Sequence, residues 1–124
     1  MSTKILIADD EPNILISLEY LMKREGFEVL LARDGDEALA VAQRERPRLV
    51  LLDVMMPGRS GFEVCQALRA DEALKDILVL MLTAKGRETD LAKGLALGAD
   101  AYMTKPFGTK ALVQQVRTLL GAAA

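Results

Sequence analysis

Residues 4–11 read KILIADDE and residues 49–57 read LVLLDVMMP. In both, a short apolar run without polar interruption ends on aspartate. A half-exposed strand alternates polar and apolar residues, whereas an unbroken β-branched-rich run suits a strand buried on both faces. Lys4–Ala8 and Leu49–Leu52 are therefore read as interior strands of a parallel sheet, with Asp9, Asp10 and Asp53 delivered at their carboxyl ends.

The rest of the chain extends this pattern. Pro12 is placed to open a helix over Pro12–Arg24, which Gly26 ends. Glu28–Ala32 reads as a second strand, Asp34–Gly35 as a turn, and Asp36–Arg44 as a helix stopped by Pro47. After Asp53, Pro57, Gly58 and Gly61 mark a loop before a helix over Phe62–Ala70. Ile77–Leu82 reads as a fourth strand ending at Thr83. A weaker helix spans Glu88–Leu97, because Gly94 lies inside it, and Gly98 stops it. Ala101–Met103 is a short fifth strand before Lys105–Pro106. Thr109–Leu120 is the last helix, and Gly121–Ala124 is a fraying tail. Five strands alternating with five helices predict an α/β sandwich with right-handed crossovers, whose site lies beyond the carboxyl ends of the strands.

Composition bounds the function. The chain has 124 residues, enough for one domain with a real core. A net charge of −2 gives no basic field for nucleic acid or anionic membrane. No apolar run approaches a bilayer span, and no secretory leader is read at Met1–Lys4. A single cysteine, Cys65, fits a reducing cytoplasm and reads as a buried structural thiol. The absence of histidine excludes histidine catalysis, histidine–zinc sites and a phosphohistidine of its own.

The strand ends thus converge Asp9, Asp10, Glu11, Asp53, Thr83 and Lys105 on one rim. Two like charges about 4 Å apart repel by roughly 4 kcal/mol at an effective dielectric near 20. Lys105 can offset only one of three carboxylates, so the cluster needs a cation or protonation. Hard oxygen donors without His or Cys favour Mg²⁺ or Mn²⁺.

ILIADDE at 5–11, LLDVMMP at 51–57, LTA at 82–84 and TKPF at 104–107 resemble the signature blocks of the bacterial response-regulator receiver domain. ARDGDEAL at 32–39 and GADAY at 98–102 resemble its connecting segments. The resemblance covers essentially the whole chain. It implies a flavodoxin-like, doubly wound, five-stranded parallel sheet of order 2-1-3-4-5 with five helices, as a single domain over 1–124. It implies two-component signalling: Asp53 as phosphoacceptor, with Asp10, Asp53 and the Met55 backbone carbonyl as metal ligands and Asp9 acting through a water. Thr83, the Ala84 amide and Lys105 would hold the phosphoryl group. A cis Lys105–Pro106 bond would aim the lysine. Thr83 and Tyr102 would form the switch, and Met55 and Lys85 would flank the water path and tune lifetime.

On the first helix, Ile14, Leu15, Leu18, Leu21 and Met22 share a core arc, while Ile16 and Tyr20 fall opposite. The resemblance assigns Asn13, Ile14, Ile16, Ser17 and Tyr20, with Pro106 and Phe107, to docking of a histidine kinase or histidine phosphotransfer protein. The output face would comprise the Glu88–Leu97 helix, Tyr102 and the last helix with Lys110, Gln114 and Arg117. Such a protein catalyses only its own phosphorylation and dephosphorylation. It acts in the cytoplasm as a monomer or phosphorylation-dependent dimer, without contacting nucleic acid or membrane itself. The sequence is compatible with a stand-alone receiver or part of a longer regulator. The cognate kinase, stimulus and output target are not legible.

Three other readings compete. An aspartate-nucleophile phosphohydrolase would place a second Asp two residues after the first, where Met55 stands. A flavodoxin-like cofactor protein would need a Ser/Thr/Gly-rich phosphate loop after the first strand, where Asp9–Asp10–Glu11 would repel phosphate. A phosphorylation-independent interaction module is the alternative within the family, against which the full set of Asp10, Asp53, Thr83 and Lys105 stands.

Overall fold

The computed structural model describes residues 3–84, 93 and 95–122. Strands β1 (Lys4–Ala8), β2 (Glu28–Ala32), β3 (Leu49–Asp53), β4 (Leu78–Ala84) and β5 (Ala101–Lys105) form one sheet of order β2-β1-β3-β4-β5. All four pairings are parallel. Helices α1 (Pro12–Arg24), α2 (Gly35–Glu45), α3 (Gly61–Ala70) and α4 (Thr109–Ala122) connect and cover it. These four helices are the ones bounded among the described residues. The expected Glu88–Leu97 helix lies mostly outside them, although Lys93, Leu95 and Ala96 are helical.

The period-2 geometry of the strands divides the core in two. Ile5, Ile7, Leu49, Leu51, Leu80 and Leu82 face α1 and α4, meeting Leu15, Leu18, Met22, Leu112 and Val116. Leu6, Ala8, Val50, Leu52, Val79 and Met81 face α2 and α3, meeting Val41, Ala42, Val64, Cys65 and Leu68. This explains the unbroken apolar runs: both sides of β1, β3 and β4 are dry.

Several boundaries differ from the sequence expectation, for local reasons. Asp34 is not in a free turn; its side chain accepts the Glu37 amide at 2.8 Å and caps α2, so Gly35 is already helical. Ser60 and Glu63 form a reciprocal capping box that starts α3 at Gly61. Strands β4 and β5 run on through the Thr83–Thr104 and Ala84–Lys105 pairings, so Lys105 ends β5 instead of following it. Helix α4 continues through Gly121 and Ala122, which were expected to fray.

Arg69 fastens the far end of the sheet. Its guanidinium donates to the carbonyls of Gly98 (2.9 Å), Lys75 (3.0 Å) and Ile77 (2.7 Å), and to Asp100 Oδ2 (2.8 Å). Asp100 Oδ2 also accepts the Val79 amide at 2.8 Å. The α3–β4 loop and the entry to β5 are thereby tied together.

Candidate functional site

The site is assembled where β1, β3, β4 and β5 end. Because β1 pairs in register with β3, and β3 with β4, the side chains after the last apolar residues converge. Asp9, Asp10 and Asp53 each offer a carboxylate oxygen within 4.8 Å of the others. Asp9 is fully buried and Asp53 nearly so, while Asp10 is exposed.

Lys105 closes the cluster from β5. Its Nζ donates to Asp9 Oδ2 at 2.8 Å and to Asp53 Oδ1 at 3.3 Å. The other Asp9 oxygen accepts the Glu11 amide at 2.9 Å. Asp9 is thus the more tightly held carboxylate and Asp53 the less satisfied one. Burial and the Asp9 charge push the Asp53 carboxyl up to about 6 from 3.8, against the pull of Lys105. Burial alone would lower the Lys105 ammonium, but Asp9 and Asp53 together hold it above its usual value.

This donor set fits a hard dication. It has three carboxylates, an ammonium engaged by two of them, and no imidazole or thiol, which is the chemistry of Mg²⁺ or Mn²⁺.

Thr83, at the end of β4, is 1% exposed, and its Oγ1 has no hydrogen-bond partner among the described residues. A buried hydroxyl without a partner costs about 1–3 kcal/mol, and this one lies at the rim beside the carboxylates. Ala84 follows, exposed, and pairs with Lys105. Tyr102 is half-buried on β5 against the α2–α3 face, opposite Met81. The Lys105–Pro106 peptide is cis. Met55 is exposed in the loop after β3. Lys85 lies outside the described residues.

On α1, Ile16 (64% exposed) and Tyr20 (68%) stand out in solvent, beside exposed Asn13 and Ser17. Ile14 is half-buried against the core, as is Phe107, and Pro106 is exposed. Lys110, Gln114 and Arg117 line a groove of about 630 Å³ with Leu21, Arg24 and Glu25 of the α1 end. Arg117 pairs with Glu25 Oε1 at 2.6 Å and stacks near the Phe27 ring. Cys65 is buried, and burial raises its thiol pKa.

Sequence reading missed the contacts around the loop after Asp53. Arg59 Nε donates to Asp36 Oδ1 at 2.9 Å across 23 positions, and Gly35 abuts the Arg59 backbone. The Ser60-x-x-Glu63 spacing was a legible helix start; the Arg59–Asp36 pairing had no local signal.

Fold and rim together define a phosphate-signalling α/β class, and the comparisons agree. Residues 5–117 match the model of the response regulator receiver domain, and the chain belongs to that family, the receivers of two-component signalling. It is 48% identical over 120 residues to the alkaline phosphatase synthesis transcriptional regulatory protein PhoP of Bacillus subtilis, covering 97% of this chain and 49% of the relative. The chain thus spans about half the length of that curated relative. It is similar to the chemotaxis response regulator CheY4 of Vibrio cholerae, with 34% identity, 95% and 98% coverage and a TM-score of 0.89. It is also similar to the receiver domain of a sensor histidine kinase from Pseudomonas aeruginosa PAO1, with 27% identity, 98% and 99% coverage and a TM-score of 0.89. That structure has a magnesium ion coordinated in its active-site cleft.

Proposed function

We propose that Asp53 accepts a phosphoryl group from a phosphohistidine on a histidine kinase or phosphotransfer protein, with Mg²⁺ held by Asp10, Asp53 and the Met55 backbone carbonyl, and Asp9 through a water. The carrying observation is the crowding of Asp9, Asp10 and Asp53 within 4.8 Å, with Lys105 engaged by two of them. Bound there, the dication supplies charge neutralisation for carboxylates and phosphoryl oxygens alike.

An Asp53 oxygen attacks phosphorus in line. The new O–P bond forms as the donor's N–P bond breaks, and the released imidazole takes a proton. Lys105 pairs with one phosphoryl oxygen, the Thr83 hydroxyl donates to another, and the Ala84 amide to a third. Hydrolysis of the acyl phosphate returns the carboxylate, so the chain catalyses only its own phosphorylation and dephosphorylation. Met55 and, by the family likeness, Lys85 tune the rate of that hydrolysis. The Thr83 hydroxyl, without a partner among the described residues, supports this assignment, because a phosphoryl oxygen would satisfy it.

Drawing Thr83 toward the phosphoryl group vacates space beside β4, which Tyr102 fills from β5, shifting a pre-existing equilibrium. The output face is the 88–97 segment, β5 with Tyr102, and α4 with Lys110, Gln114 and Arg117. The donor protein docks on Asn13, Ile14, Ile16, Ser17, Tyr20, Pro106 and Phe107. No helix among the described residues is long and apolar enough to cross a membrane; a cytoplasmic site of action rests on the family likeness. The output target, and a dimer formed on phosphorylation, follow from what the family does and rest on that likeness.

The test is incubation with Mg²⁺ and acetyl phosphate, read by intact mass. One phosphoryl group should be added, and none in Asp53→Ala or in excess EDTA. Full labelling of Asp53→Ala would move the acceptor elsewhere and overturn the proposal.

A further inference from the structure

We infer that the N-terminus of α2 positions the phosphoacceptor loop: Gly35, Asp36 and Arg59 set the Met55 carbonyl for the dication without touching it. The inference rests on the metal-assisted phosphoacceptor reading above and deepens it.

Residues 54–60 join β3 to α3 and carry Met55. The loop closes on itself where the Gly61 amide donates to the Val54 carbonyl at 2.9 Å. A β-carbon at Gly61 would overlap the Asp53 carbonyl oxygen and lie 2.9 Å from Val54 Cα. The closed loop then leans on α2. A β-carbon at Gly35 would overlap the Arg59 carbonyl oxygen and lie 2.7 Å from its carbonyl carbon. The Gly35 amide faces the Pro57 carbonyl at 3.4 Å, and Arg59 Nε grips Asp36 Oδ1 at 2.9 Å. Gly58, at φ +75, turns beside Asp36. Pro57, Gly58 and Arg59 thus all meet the same two residues of α2.

Mg²⁺ demands near-ideal octahedral geometry at about 2.0–2.1 Å, whereas Ca²⁺ accepts a looser shell. A carbonyl ligand on a loop must therefore be held from outside the coordination sphere, and loss of such support commonly weakens metal binding about 10- to 100-fold. Backbone overlap at Gly35 cannot be relieved by rotating a side chain, so Gly35→Ala must move the loop. The Asp36–Arg59 pair is solvent-exposed and contributes less, about twofold to fivefold.

The experiment is calorimetric titration of the whole chain with MgCl₂ and, separately, CaCl₂, with melting in EDTA for each variant. Gly35→Ala should weaken Mg²⁺ binding about tenfold or more and Ca²⁺ binding less. Arg59→Ala should weaken Mg²⁺ binding about threefold, and the exchange Asp36→Arg with Arg59→Asp should restore it. If Gly35→Ala does not fold, Arg59→Ala and the exchange still decide. Native Mg²⁺ affinity in Gly35→Ala, or in Arg59→Ala, would overturn the inference while leaving the phosphoacceptor reading intact. Absence of Mg²⁺ uptake by the native chain would overturn both.

Discussion

Replacing Asp53 by asparagine should stabilise the metal-free protein. Asp53 is 6% exposed, and burial together with Asp9 raises its pKa to about 6. Below its ordinary value of 3.8 the carboxyl is protonated in both folded and unfolded chains and contributes no difference. As pH rises toward 6 the unfolded chain ionises first, and the folded chain loses stability. Above about 6 both are ionised and the penalty is complete. One pKa unit corresponds to about 1.4 kcal/mol, so the rise from 3.8 to about 6 costs about 3 kcal/mol at pH 8. Asparagine mimics the protonated acid in shape and removes that penalty. For a domain of this size, with about 2 cal/mol/K of unfolding entropy per residue, this is about 10 °C in melting temperature. The assay is thermal unfolding by circular dichroism in EDTA at pH 4, 6 and 8. The gain should be full at pH 8 and fall to about 0.5 kcal/mol at pH 4. Adding Mg²⁺ should stabilise the native chain more than the variant, closing the gap at pH 8. A variant less stable than native at pH 8, or a gain independent of pH, would refute the electrostatic account of the site.

Thr83→Val should also stabilise the resting protein, by about 1 kcal/mol, because it removes a buried hydroxyl without a described partner; acetyl-phosphate labelling should nonetheless fall. Equal or lower stability in urea would show that the hydroxyl is satisfied. Lys105→Met should cost about 3 kcal/mol in urea at pH 7.5 without metal, by leaving Asp9 and Asp53 uncompensated. The cost should shrink at pH 5, where Asp53 is protonated, and an equal cost at both pH values would argue against charge as the cause. Ile16→Glu and Tyr20→Glu should leave stability within about 0.5 kcal/mol, since both side chains are exposed. They should slow phosphoryl transfer from a phosphohistidine protein but not from acetyl phosphate, and unchanged protein-to-protein rates would remove α1 from the docking surface.

What the sequence disclosed followed from parallel-sheet geometry. Runs such as LVLL at 49–52 can only be strands buried on both faces, and once strands are parallel their last residues share an edge. That logic alone brought Asp9, Asp10, Asp53, Thr83 and Lys105 together, and the observed order β2-β1-β3-β4-β5 sets them side by side. It failed where long-range contacts decide. Arg69 reaches Gly98 and Asp100 across 29 and 31 positions, and no local periodicity marks it. The Arg117–Glu25 pair, spanning 92 positions, likewise has no local signal. Asp34 looked like a turn residue because Asp-Gly commonly is one. Only the Glu37 amide identifies it as a cap.

The cluster is unstable by construction, and the instability is unequal. Asp9 is buried, yet each of its oxygens has a donor, Lys105 on one and the Glu11 amide on the other. Among the described residues, Asp53 has only the longer Lys105 contact, and it carries the raised pKa. A carboxylate kept short of donors is a better nucleophile than one locked in a tight pair, since fewer hydrogen bonds must be released as it attacks. The same shortage makes its ionised form costly, and a dication bound beside it would relieve that cost. Thr83 repeats the principle in neutral form: its hydroxyl is buried without a partner among the described residues. Lys105 is then the pivot, because the ammonium that moderates Asp9 and Asp53 at rest is already within reach of any oxygen bonded to Asp53. Its contacts differ by 0.5 Å, 2.8 Å to Asp9 against 3.3 Å to Asp53, so Asp53 is the less tightly held of the two.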